Sequence, residues 1–293
     1  MILTKHAALA ALAGLALATG SANGALVVYE GFDYSTGSVV GQNGGSGFDG
    51  SWQAGSDNSN QWAVQSPGLT FSGLDTVGGS IKRPSAPNGA DINRAISSSA
   101  QAALTTVNTT IWFSFLTVST TFSIGNANGA LLFGTGGITS MADGGAAVQM
   151  AGGSAFGFSY RGLTADGGSM RLHAMTINNG TSTRSDDFIF DTTATTYMIV
   201  GRIDWAPNGQ NDVLSLFNVT DPTAGLPLTP FATMSADLDQ SLFNTIAIGT
   251  RQVETFDEIR FGTTMESVGL IPEPTTALLG SLGMLCLLRR RRN

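Results

Sequence analysis

Apolar residues recur along the middle of the chain in short alternating runs rich in β-branched and aromatic side chains, each closed by glycine, asparagine or aspartate. A period of two is the mark of a half-buried strand. It predicts strands over residues 26–30, 110–118, 130–133, 155–161, 170–177, 187–190, 197–205, 213–219, 245–249 and 256–262. Between them, Asp166-Gly167-Gly168, Asn179-Gly180 and Asn208-Gly209 supply residues that accept the positive φ of tight hairpins. Short strands so spaced predict an all-β fold of two antiparallel sheets packed face to face. No repeating unit of about 20–50 residues is present.

Both ends depart from this pattern. Residues 1–24 hold Lys5, an apolar stretch over 7–18, and the small residues Thr19, Gly20, Ser21 and Ala22. A basic start, an apolar middle and a small-residue exit predict a secretory signal peptide, cleaved after Ala22 or Gly24. At the other end, Pro272-Glu273-Pro274 precedes an apolar run over 277–288 that stops at Arg289, Arg290, Arg291 and Arg292. Proline blocks regular structure before the run and permits a helix to begin after it. Residues 275–288 would make about 21 Å of helix, short against a hydrocarbon core of about 30 Å, a gap that arginine snorkelling and local thinning can close. Basic residues stay on the cytoplasmic side, so the β domain, residues 25–268, is expected to face outward, with 269–293 as its tail.

Composition supports a β domain and removes some partners. Only 12% of residues are charged, and 38 are glycine. The net charge of −7 moves to near −12 once Lys5 and the four terminal arginines are set aside. An acidic surface without a basic patch argues against nucleic acid. The single cysteine, Cys286, lies in the terminal apolar run, so the domain has neither an internal disulfide nor a cysteine zinc site.

The terminal order of Pro272-Glu273-Pro274, short apolar helix and Arg289 to Arg292 resembles the PEP-CTERM sorting signal of exopolysaccharide-producing Gram-negative bacteria. That resemblance implies an exosortase-type processing partner, transient anchoring in the inner membrane, and delivery to the cell surface or matrix. It covers about 22 residues, 272–293, and assigns a destination only. Within the domain, Tyr29-Glu30-Gly31-Phe32-Asp33-Tyr34, the Gly41-Gln42-Asn43-Gly44-Gly45 stretch, a Gly50-Ser51-Trp52 turn and the closing Phe256-Asp257-Glu258-Ile259-Arg260-Phe261-Gly262 resemble the first and last strands of concanavalin A-like, laminin-G-like jelly rolls. The resemblance implies that the segments around Tyr29 and Ile259 are neighbours.

No motif identifies a reaction. His173 is the one histidine outside the leader, and alternation sets it opposite Leu172 and Ala174; without a Gly-x-Ser-x-Gly elbow, a strand histidine is the reading. Retaining glycosidases place two carboxylates about 5.5 Å apart, and residues four apart on a strand share a face, which makes Glu254 and Glu258 the nearest approach to such a pair. Trp52 and Trp62 flank a polar loop and are the candidate sugar-stacking residues, with half-buried packing as the alternative; Trp112 reads as core. Calcium, which the laminin-G-like resemblance suggests, has candidate donors in Asp57, Asn58 and Asn60 or in Asn208, Asn211 and Asp212, but neither set matches a dedicated binding loop. The expectation is therefore a non-enzymatic exported protein that contacts glycan. The alternatives are a divergent polysaccharide hydrolase and a purely structural coat protein.

Overall fold

The structure is a computed structural model of the whole chain, and it describes residues 24–55, 62–83, 89–121, 128–141, 148–162, 170–185, 188–190 and 195–271. The signal segment before Gly24, the sorting tail from Pro272 on with its arginines, and the metal candidates Asp57, Asn58 and Asn60 lie outside the described residues; Gly269 to Ile271, read as the start of the tail, belong to the folded body, with Leu270 buried. Among the described residues no helix is long and apolar enough to cross a membrane.

The chain opens with β1 (Leu26–Glu30), β2 (Gly37–Ser38), β3 (Phe48–Ala54), β4 (Ala63–Gln65), β5 (Ser80–Lys82) and β6 (Ala90–Ile96). A short helix, α1 (Ser98–Leu104), leads into β7 (Thr110–Thr121), β8 (Asn128–Gly134), β9 (Ile138–Met141), β10 (Val148–Met150) and β11 (Ala155–Gly162). There follow β12 (Met170–Asn178), β13 (Thr181–Arg184), β14 (Phe188–Phe190), β15 (Tyr197–Asp204) and β16 (Asp212–Val219). The last three are β17 (Ala232–Ala236), β18 (Thr245–Thr250) and β19 (Val253–Gly262).

Strand β9 pairs with β10 in a separate two-stranded sheet, and the other strands build two large antiparallel sheets. One runs β17-β16-β15-β7-β19-β5-β4-β2, with β1 also on β19; the other runs β13-β12-β11-β8-β18-β6-β3, with β14 also on β12. The first and last strands pair as expected, Glu30 opposite Ile259 and Leu26 opposite Gly262. β1 and β5 share one edge of β19, β5 meeting it at Thr255 and Phe256. That edge is thereby covered along much of its length rather than left open to another chain. The Asn179-Gly180 turn joins β12 to β13 with both residues at positive φ (49° and 76°), as a two-residue hairpin requires.

Aromatic rings from both sheets fill the space between them. Phe115 meets Phe158 edge-on at 5.1 Å, and Phe133 meets Phe261 at 5.5 Å. Alternation alone would leave the outer faces wet, yet residues 111–118 of β7 are buried on both sides. On the first sheet, Trp112, Leu116, Met198 and Phe217 are covered by Val268 and Leu270 and by Leu69, Phe71 and Leu74. Trp112 is thus buried, but in this outer cluster and not between the sheets. On the second sheet, the β9–β10 hairpin lays Ile138, Met141, Val148 and Met150 over Ala130, Leu132, Met175 and Ile177.

Several elements differ from the sequence expectation. The Gly50-Ser51-Trp52 segment lies inside β3, not in a turn, with an irregular register against β6 between Asp49 and Gln53. Strands β3 to β6, β9, β10, β13 and β17 carry too little apolar alternation to stand out. The helix α1 is seven residues long, with Ala100 and Leu104 facing the core. It begins because the Ser97 hydroxyl accepts the Ala100 amide at 3.2 Å. Ser97→Ala is expected to cost about 1 kcal/mol, read as a lowered urea midpoint at unchanged slope.

Candidate functional site

The closing strand β19 carries an irregularity that a strict period of two conceals. Asp257 pairs with Leu116 and Arg260 with Ser114, so Glu258 and Ile259 together face one residue of β7. The extra residue is a β-bulge, and Glu258 absorbs it in the left-handed region at φ 52°. The parity of the strand shifts by one. Phe256, Ile259 and Phe261 all reach the central core, while Asp257, Glu258 and Arg260 gather on the outer side. The spacing Phe256, Ile259, Phe261, three residues and then two, is the sequence signal of this bulge.

Over the bulge lies a strap formed by residues 66–79. Its Leu69 amide donates to Asp257 Oδ2 at 2.7 Å, and its Val77 amide to Glu258 Oε1 at 2.6 Å. Asp257 Oδ1 accepts the Glu258 amide at 2.7 Å. Glu258 also receives the Tyr29 hydroxyl, at 3.2 and 3.1 Å, and Arg260 Nη2 at 2.5 Å. The same Nη2 donates to the Asp75 carbonyl at 2.7 Å, and the Arg260 guanidinium sits 5.4 Å from the centre of the Tyr29 ring. The strap approaches so closely at Gly68 that a Cβ there would stand 2.7 Å from Asp257 Oδ2 and 2.6 Å from the Gly79 carbonyl oxygen.

Burial dominates the electrostatics here. The Asp257 carboxyl is pushed up to about 8 by desolvation, against the pull of the two backbone amides, with the Glu258 charge adding to the rise. Tyr29 is raised to about 12, by burial first and then by Glu258. Asp257 is therefore largely protonated at neutral pH. A cleft of about 190 Å³ opens beside it, lined also by Gly68, Leu69, Thr70, Thr76 and Val77. A second groove, of about 420 Å³, is walled by Leu26, Tyr29, Leu74, Val77 and Arg260.

The expected pairing of Glu254 with Glu258 is corrected by the bulge. Glu254 is turned inward, where Oε1 accepts the Thr117 hydroxyl at 2.5 Å, and Tyr160 beside it is raised by burial first and then by the Glu254 charge. Glu258 is outside beneath the strap, so the sheet separates the two carboxylates.

Trp52 and Trp62 are corrected as sugar platforms, since both are 0% exposed. Trp62 packs on Phe256 at 6.0 Å. Trp52 donates from Nε1 to Glu30 Oε2 at 3.0 Å and stacks on Phe32 at 6.0 Å. It belongs to a buried polar network that gathers most of the opening motif around Arg94, a residue sequence reasoning passed over. Arg94 Nη1 pairs with Glu30 Oε2 at 2.8 Å, Nη2 reaches Asn43 Oδ1 at 2.7 Å, and Nε reaches the Gly50 carbonyl at 2.9 Å. The Tyr34 hydroxyl and the Phe32 amide also donate to Glu30, at 2.7 and 2.9 Å, and Arg94 lies 4.1 Å from the centre of the Phe48 ring.

Asp212 is corrected as a metal ligand. It is buried, with Oδ1 accepting the Ala206 amide at 2.7 Å and Oδ2 the Leu238 amide at 3.2 Å, and desolvation raises its pKa. Asn208 is exposed in the neighbouring turn. Among the described residues no group of three histidine, cysteine or acidic side chains is placed to hold a metal ion.

His173 takes the face opposite Leu172 and Ala174, which enter the central core. It is buried, and desolvation lowers it to about 4, with Arg184, Arg161 and Arg171 adding to the fall. Its Nδ1 lies 3.0 Å from the Ser185 carbonyl. The serine paired with it across the strands, Ser159, is 0% exposed and accepts Arg184 Nε at 3.3 Å. A histidine neutral across the physiological range beside a sealed serine is a packing arrangement and not an accessible nucleophile.

No protein-family model matches the chain, and no curated protein matches it in sequence. Solved structures with a similar course of the chain include the globular domain of T. cruzi calreticulin, 11% identical over 84% of this chain and 90% of that one, with a TM-score of 0.43. Peanut lectin with a bound 9mer peptide is 11% identical over 81% and 97%, with a TM-score of 0.41. The carbohydrate esterase vb_24B_21 of the Shiga toxin-encoding bacteriophage phi24B is 14% identical over 82% and 99%, with a TM-score of 0.41. Likenesses this distant carry no argument about activity.

Proposed function

We propose that this chain is an exported cell-surface or extracellular-matrix protein, delivered by a PEP-CTERM tail that an exosortase-type enzyme processes. Its concanavalin A-like sandwich acts as a non-enzymatic module in contact with exopolysaccharide. The observation that carries the non-enzymatic reading is the commitment of the outer-face carboxylates. Asp257 and Glu258 spend their oxygens on the Leu69, Glu258 and Val77 amides, on Tyr29 and on Arg260. Glu254, which alternation set on the same face as Glu258, faces inward and takes no part in the outer cluster.

The address is supported by the order of segments in the sequence, leader first and Pro-Glu-Pro, apolar run and arginine cluster last. Glycan contact is assigned to the cleft beside Asp257, where the Thr70 and Thr76 hydroxyls offer hydrogen-bonding groups suited to sugar hydroxyls. The mature protein is expected to be retained on insoluble exopolysaccharide and to release no sugar from a broad glycan panel. Replacing Thr70 and Thr76 together by valine should weaken retention roughly tenfold, the worth of two hydrogen bonds. Hydrolysis that vanishes in Glu258→Gln would replace this reading with a hydrolase, and absence of retention would replace it with a structural coat. Mass spectrometry of the extracellular protein tests the address: a C-terminus still carrying Arg289 to Arg292 contradicts processing.

A further inference from the structure

Among the described residues six large apolar side chains stand markedly exposed, and three of them, Leu26, Val77 and Ile271, line the same 420 Å³ groove. Isolated exposed aliphatics are ordinary on a protein surface; a cluster around one depression is not. The other three, Val107, Leu228 and Leu242, do not line this groove.

The groove also lies where the described residues begin and end. Ala25 donates to the Thr263 hydroxyl at 3.1 Å and Leu26 pairs with Gly262, while the Ile271 amide donates to the Pro222 carbonyl at 3.0 Å. Both points of attachment are thus fixed to the body of the sandwich. From Ile271 to Ala277, the first residue of the apolar run, is six peptide steps, which span at most about 20 Å even fully extended. A bilayer that receives the apolar run therefore has this groove held close to its surface, and so short a tether keeps its effective concentration high.

We propose that in the anchored precursor the groove walled by Leu26, Val77 and Ile271 rests against the lipid bilayer, its three aliphatic side chains entering the boundary between headgroups and acyl chains. The proposal builds on the reading of the tail as a membrane anchor. The charge around the groove selects the lipid. Asp75 and Glu266 lie at its edge, Arg260 is already paired with Glu258, and the domain is acidic as a whole, so the contact favours zwitterionic over anionic headgroups.

The test uses the full chain with Cys286→Ala and single cysteines at Leu26, Val77, Val107, Leu228 or Leu242. Each is labelled with a polarity-sensitive fluorophore and reconstituted into phosphatidylcholine vesicles. All five positions are exposed, so the fold tolerates the label, which an unchanged melting temperature verifies. Labels at 26 and 77 are expected to shift to the blue and to be quenched by spin-labelled lipid, whereas those at 107, 228 and 242 stay aqueous. Replacing a third of the lipid with phosphatidylglycerol should reverse part of the shift. Flotation of the same samples reports anchoring separately. A chain that floats while all five labels stay aqueous, or while all five shift alike, overturns the docking and leaves the anchor standing. A chain that does not float overturns both.

Discussion

Replacing Glu30 with alanine is expected to cost about 3–5 kcal/mol of folding stability, the range measured when one partner of a buried ion pair is removed. Arg94 and Glu30 are 1% exposed each, so the guanidinium left behind cannot recover its lost partner from water. The same deletion strands three further donors, Trp52 Nε1, the Tyr34 hydroxyl and the Phe32 amide, all of which now converge on the Glu30 carboxylate. Urea unfolding followed by tryptophan fluorescence measures the loss, since Trp52 reports directly on this network. The double replacement Glu30→Leu with Arg94→Met should cost clearly less than the sum of the two single changes, because it leaves no buried charge without a counter-ion. A loss below about 1 kcal/mol for Glu30→Ala would remove the network from its place in the fold.

Stability is expected to hold nearly level between about pH 4 and 6.5 and then to fall as pH rises toward 8. The sign follows from two buried groups that oppose each other. Asp257 is raised to about 8 in the folded chain from an ordinary value of 3.8, so between those values the folded state keeps a proton that the unfolded state has lost, and stability declines with rising pH. His173 is lowered to about 4 from 6.5, so between those values the unfolded state holds the extra proton and stability climbs with pH. The two slopes offset below about 6.5. Above it Asp257 acts alone, at up to about 1.4 kcal/mol per pH unit. Melting temperatures from pH 4 to 9 check the profile. Asp257→Asn should abolish the decline above 6.5, and His173→Gln should expose a decline below it. A melting temperature unchanged from 6.5 to 8 would mean that Asp257 is ionised beneath its strap.

Much of the architecture is legible in the residues because strands with one wet face must alternate. The pattern places His173 opposite Leu172 and Ala174, and the opening and closing strands meet where their family resemblance implies. Strand β6 escapes that reading. Its sequence, Ala-Asp-Ile-Asn-Arg-Ala-Ile, looks like a solvated stretch, yet Asp91 and Arg94 are fully enclosed. A charge that is satisfied by partners 44 to 64 positions away carries no local mark of burial. For the same reason Trp52 and Trp62, which flank a polar loop in the sequence, read as surface residues until the rings they pack against are known.

The sequence by itself determined the all-β class, the principal strands and the chemical inventory, because period, turn residues and composition are local properties of the chain. Tertiary structure alone decided which carboxylates share a face and which aromatic rings meet water. One residue inserted at Glu258 reverses the parity of everything before it relative to everything after. The strap and the β9–β10 hairpin, by covering the outer sides of the sheets, turn positions that alternation would leave exposed into interior.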